Sequence, residues 1–353
     1  MHSEIDTLNE SAVLEQEQGG EGNLTGVSFR GYLVRLFLWV IMVLFTVGTV
    51  GVVLNKTTNR YDFTEPKLHE SLTFHNEHFD VIYFGDSLTL EGFNPAVIDA
   101  DLSSRSYNFA LGGASVLESE IQLRHFLRTN QKPRLVVLGI YINNPTKPAG
   151  VRPTLYFGLS RDLQSFYRDR LSNHSGATID RSFIFFNSVP AYRYRNAIDL
   201  IIKSAVSRDD QRPNFVQGQA RVSFSRQPYL GGQHESTFDM SELRDFAQFC
   251  REQQLPLLLI EPPNHPGYSN LTSNRSSILR EIWKLTDLDS NVRFLSFDDR
   301  GDQFRADEWV NLNHLNEKGS VIFSHLVSAA LEHEIEERTL RSDSSAKVQH
   351  SPL

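Results

Sequence analysis

Two short segments, far apart in the chain, carry groups from which a serine-based acyl chemistry could be built. The first is FGDSLTLEGFNP, residues 84–95, where Ser87 lies two residues beyond a glycine that ends an apolar run. A serine hydroxyl is a weak nucleophile at neutral pH and needs a base within hydrogen-bond reach. The second segment, NLNHLNEKGSVIF, supplies one in His314. Each has an ordinary explanation by itself: Ser87 could cap a helix that follows a strand, and a lone histidine is more often structural than catalytic. The pairing is more specific than either member. A histidine base also needs a partner at its far ring nitrogen, and two residues are candidates. Asn311 could orient the ring through its side-chain oxygen, and Asp307, a little upstream, could supply a carboxylate.

The elements that must bring these groups together can be read from the apolar pattern. Five apolar runs, 80–85, 106–111, 134–142, 255–263 and 291–297, alternate with helical patterns at 114–130, 239–254, 274–287 and 316–337. Continuous apolar strands between amphipathic helices indicate a parallel sheet covered on both faces. The expected class is therefore α/β, a three-layer α/β/α doubly wound sheet. Ser87 then falls at the carboxyl end of the first strand, where open α/β sheets bind ligands. His314 falls in the loop before the last helix, whose N-cap is read as Asn316. Residues 145–235 break the alternation. No strand is read there, only helical candidates at 159–171 and 190–206, and the segment is taken as an insertion that shapes the site.

Ahead of this domain lies LFLWVIMVLFTVGTVGVVL, residues 36–54, without one charge. A helix of that length rises roughly 28 Å, close to the hydrocarbon thickness of a bilayer. The run is apolar on every side and lies between polar segments, and no small-x-small cleavage pattern follows it. An uncleaved signal anchor is the expectation. The chain divides accordingly into an acidic disordered tail (1–31), a transmembrane helix (32–55), a linker (56–70), the α/β domain (71–337) and a disordered tail (338–353). Arg30 and Arg35 on one side and Lys56 and Arg60 on the other leave the orientation undecided by charge.

Composition excludes several classes. A net charge of −8 over 353 residues implies no basic surface for nucleic acid. The single cysteine, Cys250, permits neither an internal disulfide nor a cysteine-built zinc site, and it lies in a helical pattern as a core residue would. His69, His75 and His78 show no zinc-ligand spacing and are read as linker residues. No metal or cofactor is expected.

The ordered blocks over residues 80–335 resemble the SGNH/GDSL hydrolase superfamily. Gly85-Asp86-Ser87 matches its first block. YNFALGGAS matches the second, with Asn108 and Gly113 at the family's asparagine and glycine. Asn143 in YINNP takes the third block's asparagine, with Tyr141 where glycine is usual. The last block departs from the family, because Asn311 stands where the family has aspartate, although His314, Leu315, Asn316 and Gly319 follow its pattern. The resemblance implies a flavodoxin-like fold and a serine esterase or acyltransferase. Ser87 would be the nucleophile and His314 the base. The Ser87 and Gly113 backbone N–H groups and the Asn143 side chain would form the oxyanion hole. One helix followed by such a domain also resembles proteins that handle acyl groups on cell-surface polymers, such as exopolysaccharide O-acetylation and teichoic acid D-alanylation proteins. That likeness implies a single-pass membrane protein with its catalytic domain outside the cytoplasm. It further implies an acylated saccharide or other ester as substrate and a multi-spanning acyltransferase as partner. A lipid esterase or thioesterase, and a catalytically degenerate glycan-binding or scaffold protein, are the alternatives. The Tyr-, Phe- and Arg-rich insertion leans toward sugars over acyl chains, while Asn311 keeps the degenerate reading open.

Overall fold

The computed structural model describes residues 29–61, 65–145, 151–174, 178–195, 214–225 and 232–349. The chain divides into two compact units, residues 1–50 and 51–353. Of the acidic tail expected over 1–31, residues 1–28 lie outside the described residues, and 29–31 are helical. A helix α1, Phe29–Tyr61, begins in the smaller unit. Its segment Phe29–Lys56, whose most apolar 18 residues have a mean hydropathy of 2.5, is long and apolar enough to cross a membrane.

The larger unit is built on a parallel sheet of five strands: β1 (Val81–Phe84), β2 (Ser106–Asn108), β3 (Leu135–Gly139), β6 (Leu257–Glu261) and β7 (Val292–Ser296), in the order β2-β1-β3-β6-β7. All five fall inside the expected apolar runs. Alternate residues of each strand enter different cores, which is why the runs are apolar throughout. On one face Ile82, Phe84, Val136, Leu138, Leu257 and Leu259 pack with helices α5 (Val116–Phe126), α10 (Met240–Glu252) and α11 (Arg275–Leu288). On the other, Val81, Tyr83, Leu135, Val137, Leu258 and Ile260 meet α4 (Pro95–Leu102) and α12 (Glu317–Gln349). The result is three layers. From β1 the chain steps one way to β2 and then the other way to β3, so the topological switch point lies between β1 and β3. The crevice beyond their carboxyl ends is where such sheets place ligands.

The structure corrects three details of the domain reading. The stretch taken as a linker, 56–70, is helical at both ends: α1 continues to Tyr61, and α2 spans Glu65–Thr73. Leu68 of α2 is fully buried with Leu117 and Ile121 of α5 and with helices of the insertion. The terminal helix α12 runs to Gln349, past residue 338 where a disordered tail was expected. The insertion holds α6 (Pro153–Gly158), α7 (Arg161–His174), α8 (Arg181–Ser188) and α9 (Pro190–Arg193), and also a small antiparallel hairpin, β4 (Asn214–Val216) with β5 (Gln219–Arg221). The hairpin turn at Gln217 and Gly218 has positive φ at both residues, 48° and 82°. The Gln217 carbonyl accepts a hydrogen bond from Asn108 N, so the turn covers the outer edge of β2. The part of the helical candidate 190–206 beyond residue 195 lies outside the described residues.

A short helix α3, Ser87–Gly92, follows β1 directly. It fits there because two glycines leave room for one side chain. A Cβ at Gly85 would lie 2.3 Å from Thr89 Oγ1 and 2.7 Å from the Gly139 carbonyl, and one at Gly139 would strike the same Thr89 hydroxyl. Gly85 also has φ of +143°, which side chains resist. The prediction is that Gly85→Ala destabilises the chain by about 1–3 kcal/mol, the usual range for overpacking, measured by denaturant unfolding in detergent. Thr89→Ala in the same chain should restore part of the loss, because it removes the colliding hydroxyl.

Candidate active site

Ser87 opens α3, and its position is determined from both sides. Asp86 caps the helix by accepting from Leu88 N at 3.0 Å. Asn108, at the end of β2 and fully buried, donates from Nδ2 to the carbonyls of Thr89 and Phe93 at 2.8 and 3.1 Å. Its Oδ1 accepts from Ala110 N at 3.0 Å. One amide side chain therefore ties the helix that Ser87 opens to the loop that carries Gly113. That loop keeps pairing with the chain leaving β1: Phe109 N donates to the Tyr83 carbonyl at 2.7 Å and Leu111 N to the Gly85 carbonyl at 3.1 Å. Gly113 follows with φ of 68°.

The loop has a second support. Lys67 of α2 is 1% exposed, and its Nζ donates to the Ala110 carbonyl. Burial drives its pKa well below the ordinary lysine value, against a smaller opposing pull from Glu70.

His314 reaches Ser87 from the loop before α12. Nε2 lies 2.8 Å from Ser87 Oγ. Nδ1 faces two amide oxygens, Asn311 Oδ1 at 3.0 Å and Asn313 Oδ1 at 2.8 Å. Asn311 Oδ1 also accepts from the backbone N–H of Asn313 and of His314, at 3.1 and 3.0 Å, which fixes which end of that amide faces the ring. An acceptor so oriented requires the proton on Nδ1. Nε2 is then the bare nitrogen, and the Ser87 hydroxyl donates to it. Asn313 is oriented in turn: its Nδ2 donates to Tyr141 Oη at 2.6 Å, and Tyr141 shares a 2.8 Å hydrogen bond with Tyr268 Oη. Asn316 caps α12 by accepting from Lys318 N and Gly319 N at 3.0 and 3.1 Å.

Charges around the pair are subdued. Burial lowers His314 from the usual histidine value to about 4. No carboxylate among the described residues is hydrogen-bonded to the ring to offset that. Burial raises Asp86 to about 6. It raises Glu91, one helical turn beyond Ser87, to about 8, with Asp86 adding to the effect. Glu91 is therefore mostly protonated at neutral pH, which matters because a negative charge beside Ser87 would oppose an oxyanion, whereas Asp86 is mostly ionised there.

Of the residues expected at the site, Ser87, His314 and Asn311 meet in space. Asp307 does not join them. It is solvent-exposed and paired with Lys318 Nζ at 3.1 Å and Arg305 at 3.0 Å, and the Lys318 hydrogen bond is the main cause of its lowered pKa. Two surface cations hold it, so it is not the orienter of His314. Asn143 is fully buried, and its described hydrogen bonds run elsewhere: Nδ2 to Ser269 Oγ at 3.3 Å, Oδ1 from Arg275 at 3.2 Å, and the carbonyl to His234 at 3.0 Å. Arg275 is itself held by Glu261 and Asp298, so it draws the amide toward the end of β6. No described hydrogen bond joins Asn143 to Ser87. Asn313, Tyr141, Tyr268 and Lys67 complete the surroundings without having been singled out as site residues. Only the Asn-x-Asn-His run could have flagged Asn313, and nothing local flags Lys67.

No family model matches the chain, and no curated protein matches it. Among solved structures it is similar to a GDSL-like lipase from Bacteroides thetaiotaomicron VPI-5482, at 10% identity over 76% of this chain and 97% of that one, with a TM-score of 0.37. It is also similar to a family two carbohydrate esterase from Clostridium thermocellum in complex with cellohexaose, at 11% identity over 74% of this chain and 66% of that one, with a TM-score of 0.33.

Two predictions follow from the geometry. A histidine must be neutral to act as base, and His314 takes up its proton only near pH 4. Ester hydrolysis should therefore hold its kcat/KM from neutral pH down to about pH 5 and fall below that. Asn311→Asp should raise the histidine pKa, move the acid limb upward and increase kcat at pH 8. A wild-type limb near the ordinary histidine value would contradict the desolvated site. Asn143→Ala separates the two roles open to that residue. As a buried partner of Arg275 and Ser269 it should cost about 1–3 kcal/mol of stability and leave kcat nearly unchanged. An oxyanion donor would instead lose about 10²–10³ in kcat.

Proposed function

We propose that the chain is a membrane-tethered serine esterase or O-acyltransferase of the SGNH type, acting on acyl esters of saccharides at the cell surface. The observation that carries the reading is the 2.8 Å approach of His314 Nε2 to Ser87 Oγ, with Nδ1 held by two amide oxygens. Ser87 Oγ attacks the ester carbonyl as its proton passes to His314 Nε2. The negative charge that develops on the carbonyl oxygen falls to the Ser87 and Gly113 backbone N–H groups. Collapse breaks the acyl–oxygen bond. His314 returns its proton to the departing alcohol and leaves an acyl group on Ser87. Water then completes hydrolysis, or an acceptor hydroxyl completes transfer, again with His314 as base.

Uncharged amides at Nδ1 make the imidazolium less stable than a carboxylate would. In the serine protease case, replacing the carboxylate by asparagine cost about 10⁴ in kcat, and the wrong tautomer was the cause. Here the Asn311 oxygen enforces the productive tautomer, so that loss is avoided in part. The remaining deficit favours, as a second reading, a binding or scaffold protein that has kept the architecture. The Tyr-, Phe- and Arg-rich composition of residues 155–170 supports a saccharide substrate, and the apolar Phe29–Lys56 segment supports the tether.

The test is labelling of the full chain in detergent with a fluorophosphonate probe, beside Ser87→Ala and His314→Ala. Labelling should be strong in the wild type, absent in Ser87→Ala and at least about 10²-fold slower in His314→Ala. Equal reactivity of the wild type and Ser87→Ala would remove the nucleophile and leave the scaffold reading.

A further inference from the structure

Outside α1, few large apolar side chains of the described residues are exposed, and three of them gather at one place. Phe185 and Phe186 on α8 are 68% and 47% exposed, and Tyr192 on α9 is 39% exposed. Their rings form a continuous cluster, with centroids 5.3 Å apart for Phe185–Phe186 and 5.1 Å for Phe186–Tyr192. The Arg195 guanidinium lies 4.1 Å above the Tyr192 ring, and Arg181 at the start of α8 is also exposed. Isolated exposed apolar residues are ordinary, whereas a contiguous aromatic group edged by arginines marks a contact surface.

The location of this group says what the contact is. The end of α1 from Gly51 onward belongs to the larger unit, and α9 is packed on it. A Cβ at Gly51 would lie 2.8 Å from Pro190 Cβ and 3.0 Å from Ala191 N, so the close approach depends on glycine. One turn further on, Leu54 is buried against Tyr194. Residues 51–54 are the last turn of the uncharged run, where a spanning helix passes from hydrocarbon to headgroups. Aromatic rings favour that depth, and arginine there reaches lipid phosphates.

We propose that α8 and α9 form a membrane-interface foot. Phe185, Phe186 and Tyr192 enter the headgroup region of the bilayer that α1 crosses, and Arg181 and Arg195 pair with its phosphates. The proposal rests on the membrane-tether reading above.

The test uses the full chain in phosphatidylcholine–phosphatidylglycerol vesicles. Single cysteines placed by Phe185→Cys, Phe186→Cys, Leu288→Cys and Leu44→Cys in a Cys250→Ala background carry a bimane label. Leu288 is 86% exposed and serves as the solvent reference. Lipids bearing a nitroxide near the headgroup should quench labels at 185 and 186 several-fold more than at 288, and a nitroxide at mid-chain should quench 44. Gly51→Leu, which pushes α9 away, should reduce quenching at 185 while that at 44 persists. Quenching at 185 and 186 no greater than at 288, with 44 still quenched, would overturn the foot and leave the tether standing. An unquenched label at 44 would overturn the tether and the foot with it. Pyrene excimer formation between copies labelled at 185, without lipid quenching, would assign the face to a second copy of the chain and overturn the proposal.

Discussion

Everything about this site depends on keeping one proton on His314 Nδ1. If it resides there, Nε2 is a base aimed at Ser87; if it moves, the same geometry is inert. The fixing group is the Asn311 oxygen, which is committed to two backbone N–H groups and so cannot present its amide nitrogen to the ring. Asn313, Tyr141 and Tyr268 extend the arrangement across the sheet toward the loop beyond β6. A carboxylate would orient the ring and also stabilise its charged form. Amide oxygens do the first strongly and the second weakly, which fits a base with a depressed pKa more than one tuned to neutrality.

The sheet makes the pairing possible. Ser87 and His314 are separated by 227 residues and meet because β1 is an inner strand and the last helix returns to the face beside it. The arrangement around β1 and β3 leaves little freedom. Thr89 fills the space of two missing side chains at Gly85 and Gly139, and Asn108 ties three backbone groups from two segments to one amide. A site assembled from distant loops keeps sub-ångström geometry only when such local contacts remove the alternatives.

How much of this could be read beforehand follows physical lines. The inner strands β1, β3 and β6 are visible because each is buried along its whole length and so has no polar alternation to blur it, while β7 at the edge still shows Val292, Phe294 and Leu295. The hairpin at 214–221 is not, because its strands are three residues long and carry polar side chains such as Asn214, Gln219 and Arg221. Its one local signal is the two-residue Gln217-Gly218 loop, a spacing that suits paired positive φ values. At the site, Ser87 and His314 announce themselves by motif, whereas Asn313, Tyr141 and Lys67 do not, since their partners are set by packing between distant elements. Asp307 shows the converse: it is near His314 in the chain but faces Lys318 and Arg305 at the surface.

The Lys67 contact moves a boundary. A fully buried amine that donates to the Ala110 carbonyl is part of the domain's interior, so the helix that carries it is too. Cutting the chain between α2 and β1 would leave that carbonyl unpaired in apolar surroundings, in the very loop that leads to Gly113. Residues 65–73 therefore work as a wedge driven into the domain. Unlike a flexible spacer, such a segment cannot be lengthened or shortened freely, and its length is fixed by the same packing that shapes the loop leading to Gly113.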